Sequence, residues 1–145
     1  MRMKLAVLYL CFISPCFAEA NVMIDGNCRK IKVGKETKPQ PCSLVYSHFD
    51  NGRTLFQFIW KGSGVAFSGG RDSQLSLREY KLAVDTIIVG LDPADPKRYQ
   101  AKGVCVIQLA DDKGNYVKSA TCSATNGLEE AEVVLVGDGR PVKKM

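Results

Sequence analysis

The dipeptide Asn51-Gly52 constrains this chain more than any other feature. Both residues accept positive φ, and the pair lies between two apolar runs, residues 43–49 and Thr54–Trp60, so a tight β-hairpin is predicted there. In the second run Phe56, Phe58 and Trp60 share one face of a strand, and Leu55 and Ile59 share the other. Apolar residues on both faces read as a strand covered on both sides. Turn residues return at Lys61-Gly62-Ser63-Gly64, Gly69-Gly70, Lys113-Gly114 and Asn126-Gly127. The runs between them, 65–68, 104–109, 116–123 and 132–136, read as further strands. Residues 74–89 change phase near Arg78-Glu79, which divides them by a turn or bulge. Residues 91–100, with Pro93 and Pro96, read as a loop, and 137–145 as a loose tail. The expected fold is all-β, a small antiparallel sandwich or barrel of about seven or eight strands.

The address is written ahead of these strands. Arg2 and Lys4 precede an apolar run over 5–17, and Ala18 and Ala20 are small residues at both positions a signal peptidase reads. A signal peptide over residues 1–20 is expected, cleaved before Asn21, leaving a single β-rich domain over 21–145. The apolar run is shorter than the roughly 20 residues that span a bilayer, so no transmembrane segment is expected. A lipoprotein reading through Cys16 is opposed by Pro15.

Two of the six cysteines fall in the leader, leaving Cys28, Cys42, Cys105 and Cys122. An even number in an exported chain points to two disulfides. Cys105 and Cys122 stand at mirrored positions about Lys113-Gly114, so a hairpin turning there sets both sulfurs on one rung. Cys28 and Cys42 flank a short lysine-rich segment. The expected pairs are Cys28–Cys42 and Cys105–Cys122. No C-x2-C spacing occurs, which argues against zinc and against a redox thiol.

Chemistry-bearing motifs are sparse. The chain has 20 Lys and Arg against 15 Asp and Glu, a net charge of +5, too mild and too little interleaved with aromatics for nucleic acid. Its one basic run is Arg29, Lys30, Lys32, Lys35 and Lys38, either a patch for an acidic partner, wall polymer or anionic lipid, or a solvated loop. The string Ser68-Gly69-Gly70-Arg71-Asp72-Ser73 is similar to the phosphate loop of the PP-loop ATP pyrophosphatases. That loop belongs to a parallel α/β fold, whereas here a glycine turn capped by Asp72 and Ser73 fits the surrounding strands. His48 is the only histidine, so any Ser–His or Cys–His hydrolase would have to use it, and no G-x-S-x-G elbow accompanies it. Asp111-Asp112-Lys113-Gly114-Asn115 lacks the spacing of a calcium loop and reads as a hairpin turn. Tyr46, Phe49, Phe56, Phe58, Trp60 and Phe67 read as core before they read as a stacking face.

A signal peptide, four cysteines after it, and Asp50-Asn51-Gly52-Arg53 ahead of an aromatic strand together resemble the VirK family. Those are small exported proteins of plant-associated and pathogenic bacteria. The resemblance covers most of the chain as a layout and implies a role in virulence or host interaction, with no catalytic residues to carry over. The layout is also similar to small envelope inhibitors of lysozyme type. The expected function is that of a non-enzymatic periplasmic or secreted accessory or binding protein, with no cofactor and no metal. Its expected partner is a protein or cell-envelope component rather than a small molecule. Candidate contact residues are Arg29, Lys30, Lys32, Lys35, Lys38, Arg71 and Asp72. The alternative is an inhibitor or immunity protein that inserts residues 62–73 into the cleft of a wall-degrading enzyme.

Overall fold

The structure is a computed structural model that describes residues 18–92 and 94–145. All but the last three residues of the expected signal peptide therefore lie outside the described residues. The strands are β1 (Ala18–Val33), β2 (Lys35–Thr37), β3 (Gln40–Phe49), β4 (Thr54–Trp60), β5 (Ser63–Gly69) and β6 (Arg71–Ser76). They continue as β7 (Glu79–Gly90), β8 (Lys97–Leu109), β9 (Val117–Thr125), β10 (Glu130–Gly137) and β11 (Lys143–Lys144). Neighbours pair in the order β10-β9-β8-β7-β5-β4-β3-β1, and β10 pairs back onto β1. The result is a closed antiparallel barrel of eight strands, so the main sheet keeps no free edge.

Period-2 alternation decides which side chains fill it. Leu44 of β3, Phe56 and Phe58 of β4, Phe67 of β5, Leu82 of β7 and Leu135 of β10 all point inward and are fully buried. Phe58 and Phe67 meet edge to face with centroids 6.0 Å apart. The opposite face of β3, β4, β5 and β7 carries a second apolar cluster of Val45, Phe49, Leu55, Ala66 and Ile88, with Ile59 beside it. The aromatic set read as core is thus divided, with Phe49 in the second cluster and the others inside.

The predicted Asn-Gly hairpin joins β3 to β4. Gly52 takes φ 84°, and Asn51 Oδ1 accepts the Arg53 N–H. Both expected disulfides form. Cys105 and Cys122 are direct register partners on β8 and β9, and Cys28 and Cys42 bridge β1 and β3.

Four inward-facing glycines let the strands approach closely enough to close the ring. A Cβ on Gly26, Gly69, Gly103 or Gly137 would stand 2.3, 1.9, 1.9 or 2.0 Å from a carbonyl oxygen of the neighbouring strand. Such backbone contact is available to glycine alone, and it is how small barrels turn their corners.

The chain departs from the sequence reading in four places. Residues 21–38 carry no predicted strand, yet β1, at 16 residues, is the longest strand among the described residues. Its alternation runs through Val22, Ile24 and Cys28, slips at a bulge between Cys28 and Lys30, and resumes at Ile31 and Val33. That slip, with lysines on the outward positions, disguises a strand as a solvated loop. Secondly, residues 97–100 of the expected loop belong to β8 and pair with β7. Thirdly, Gly69-Gly70 does not reverse the chain, because β5 and β6 both pair with β7. Residues 63–69 are consequently held between β4 and β7 and cannot insert into a cleft.

The fourth departure is the tail. β11 pairs with β1 at Val22 and Met23, and the Val142 N–H donates to Asn115 O. Lys143 Nζ sits 3.0 Å from Asp25 Oδ2. The carboxyl of Asp25 falls below its usual range because Ser43 and Lys143 hydrogen-bond to it, with Arg140 adding attraction. A segment expected to be loose is a strap.

Candidate functional site

Antiparallel order gives the barrel two distinct ends. The upper end gathers residues 50–53, the β6–β7 hairpin, 110–116 and 138–142; the lower end gathers 34–39, 61–62, 91–96 and 126–129. A polar cluster closes the upper end around Asp72.

Register builds this cluster. His48 on β3 lies opposite Thr54 on β4, and both face inward. β6 continues along the edge of β7 and brings Asp72 opposite Leu82, with Tyr80 of β7 on the same inner face. Asp72 Oδ2 accepts a hydrogen bond from Tyr80 and another from Thr54 Oγ1 at 3.0 Å. Since Thr54 gives its only hydroxyl proton to Asp72, His48 Nδ1, 3.0 Å from Thr54 Oγ1, must carry a proton and donate it. By the same count Tyr46, 3.4 Å from Tyr80, donates to the phenol that Tyr80 has committed to Asp72. Two chains of donors, from His48 and from Tyr46, therefore converge on one carboxylate.

The electrostatics follow. Burial pushes the Asp72 carboxyl up, but the bonds from Tyr80 and Thr54 and electrostatic attraction from His48 outweigh it and hold the group below its usual range. Burial pushes the Tyr80 phenol up, and its bond to Asp72 adds to the effect. Thr54 is fully buried, so its hydroxyl is no nucleophile for an outside substrate. His48 and Asp72 keep 31% and 27% of their side chains exposed, which leaves them the reachable members of the group.

This arrangement makes Asp72 a clasp that holds β6 against the barrel. Asp72→Asn keeps the shape and loses the charge, and is expected to cost about 1 kcal/mol at neutral pH, discounted for partial exposure. A depressed carboxyl pKa contributes stability above its unfolded value, near 3.9, and loses it as pH falls through the folded value. Urea unfolding of both proteins should show a gap at neutral pH that closes in acid, as pH falls through the lowered pKa of the folded carboxyl. A gap that persists in acid would assign the effect to packing.

The remaining sequence candidates are not brought to this site. Arg71 is exposed beside it on β6, whereas the basic run lies along the lower half of β1 and beyond. Lys30 pairs with Glu132 at 2.9 Å and Lys32 with Glu130 at 3.5 Å. Two of the five cations are thus neutralised by β10, while Arg29, Lys35 and Lys38 make no ion pair among the described residues. Asp72 does not cap a glycine turn as the sequence suggests, because its side chain turns into the barrel. Thr54 and Tyr80 escape sequence reading as site residues. Their only signal is the inward phase they share with Tyr46 and His48, and phase becomes informative only once the strands are in register.

The upper end also carries the β6–β7 hairpin. Among the described residues β6 pairs with β7 alone. Leu75 and Leu77, near its tip, are 56% and 64% exposed. Arg78, at the turn, bonds to Asp112 at 2.6 Å and ties the hairpin tip to the neighbouring loop.

Fold and site together define a small disulfide-stapled, closed β-barrel whose upper end carries a carboxylate-centred clasp and a hairpin with two exposed leucines. No family model matches the chain, and comparison with curated proteins and with solved structures finds no similar one. Among the described residues no helix is long and apolar enough to cross a membrane. Two disulfides are compatible with an exported protein.

Proposed function

We propose that this chain acts outside the cytoplasm as a non-enzymatic binding module, and that the β6–β7 hairpin is its contact element. The observation that carries the reading is the pair Leu75 and Leu77, exposed on a hairpin that Asp72 holds near its base and Arg78 at its tip. Exposed apolar side chains on a fixed hairpin suit a protein partner, since a rigid element loses little entropy when it docks. The interior of the barrel is filled with aromatic and aliphatic side chains, which favours a partner at the surface over a ligand in the centre. The resemblance to VirK proteins adds the expectation of a virulence or host-interaction role. The inhibitor reading stays attached to the same element. If a wall-degrading enzyme is the partner, the exposed β6–β7 hairpin, which shares residues 71–73 with the segment expected to insert, is the part able to enter its cleft, whereas residues 63–69 are held between β4 and β7.

The test is capture from envelope and host extracellular extracts on the immobilised, oxidised protein, with a Leu75→Ser, Leu77→Ser variant beside it. The expected result is one stoichiometric protein partner, whose affinity falls at least tenfold for the variant. Inhibition of a captured muramidase or amidase would select the inhibitor reading. A partner that binds wild type and variant equally would remove the hairpin from the function.

A further inference from the structure

The lower end of the barrel holds a recess that neither the clasp nor the hairpin uses. It has a volume of about 320 Å³ and lies between the end of β1, the neighbouring ends of β7 and β8, Leu91, Asp92 and Asp95, and the β9–β10 turn. Its wall is apolar. Val33, Ile87, Val89 and Tyr99 point inward from three strands and pack against the main core. Its rim is acidic. Asp92, Asp95, Glu129 and Glu130 line the mouth against a single cation, Lys97.

Two of these carboxylates stand on backbone that is already fixed. Asp92 Oδ1 accepts the Ala94 N–H at 2.9 Å and holds the turn that also carries Asp95. The Glu129 N–H donates to Asn126 Oδ1 at 2.7 Å, and Glu129 O accepts from Thr125 Oγ1 at 3.0 Å. Glu130 is engaged by Lys32, so Asp92, Asp95 and Glu129 supply the uncommitted negative charge. An apolar wall under an acidic rim is complementary to one kind of small molecule.

We propose that this recess binds an amphipathic cation, a primary ammonium on a short unbranched alkyl chain, with the chain on Val33, Val89 and Tyr99 and the ammonium at Asp95 and Glu129. The site lies at the opposite end of the barrel from the hairpin and does not depend on the partner proposed for it. Binding should therefore survive in the Leu75→Ser, Leu77→Ser variant.

The probe is hexylammonium, titrated into the oxidised chain and followed by amide shifts in two-dimensional nitrogen–proton spectra. Saturable shifts are expected at Val33, Val89, Tyr99 and Glu129. Affinity should rise about fourfold for each methylene added from butyl- to hexylammonium, the factor that corresponds to burying a CH₂ group. Asp95→Asn with Glu129→Gln should weaken binding about tenfold, and Lys97→Gln should strengthen it a few-fold, since both act through charge at the rim. Hexanoate has the same chain and the opposite sign and should not bind. Equal binding of hexanoate, saturable shifts located elsewhere, or no saturable shift at millimolar hexylammonium would each overturn the assignment.

Discussion

Replacing Cys28 and Cys42 by alanine is expected to lower stability by about 3 kcal/mol, and replacing Cys105 and Cys122 by a similar amount. The two bridges close loops of 14 and 17 residues, so the chain-entropy cost they remove from the unfolded state is nearly equal. Together they represent about 6 kcal/mol, a large part of the 5–15 kcal/mol that typically holds a domain folded. Cys28, Cys105 and Cys122 are almost completely buried. Reductant must therefore wait for the barrel to open, and the reduction rate should track the unfolding rate. Urea titrations of oxidised protein, each double-alanine variant and the fully reduced chain would measure all of this. An unchanged midpoint after reduction would show that the strands alone carry the fold.

The second large effect is expected at Gly103. A Cβ there would stand 1.9 Å from Ser123 O and 2.5 Å from Ala124 Cα, both backbone atoms of β9. No flexible side chain can yield, so β8 and β9 must part at the position flanked by the Cys105–Cys122 bridge. Gly103→Ala should cost about 3 kcal/mol or more, at or beyond the usual range for overpacking. Gly90 provides the control. A Cβ there finds its nearest neighbour at 3.6 Å, an ordinary contact, and Gly90→Ala should change stability by less than about 1 kcal/mol. Equal unfolding midpoints for the two variants would mean that the close approach at Gly103 relaxes easily.

Much of this architecture is legible in the residues, and the illegible parts have identifiable causes. β4 can be read because Phe56, Phe58 and Trp60 alternate without interruption and Asn51-Gly52 fixes where the strand begins. The pairing of Cys105 with Cys122 follows from hairpin symmetry, since residues equidistant from a turn meet on one rung. β1 is hidden by a bulge that shifts its phase and by lysines whose partners, Glu130 and Glu132, lie far along the chain. The upper site is half legible. His48 and Asp72 draw attention by residue type, but Thr54 and Tyr80 join them only through cross-strand register. Nothing within a local window of sequence encodes that meeting.

β1 has one more consequence. It emerges first among the strands described, yet its seam partner is β10, and Ile31 must find Val133. The ring cannot shut until nearly the whole chain is available, so the closing step comes late and involves contacts of the longest sequence separation. Until then β1 shows an unpaired edge to its surroundings, the state in which sheets recruit foreign strands. A chain built this way stays open until its last long strand is in place. The interval before closure is when it is most exposed to aggregation and to proteolysis.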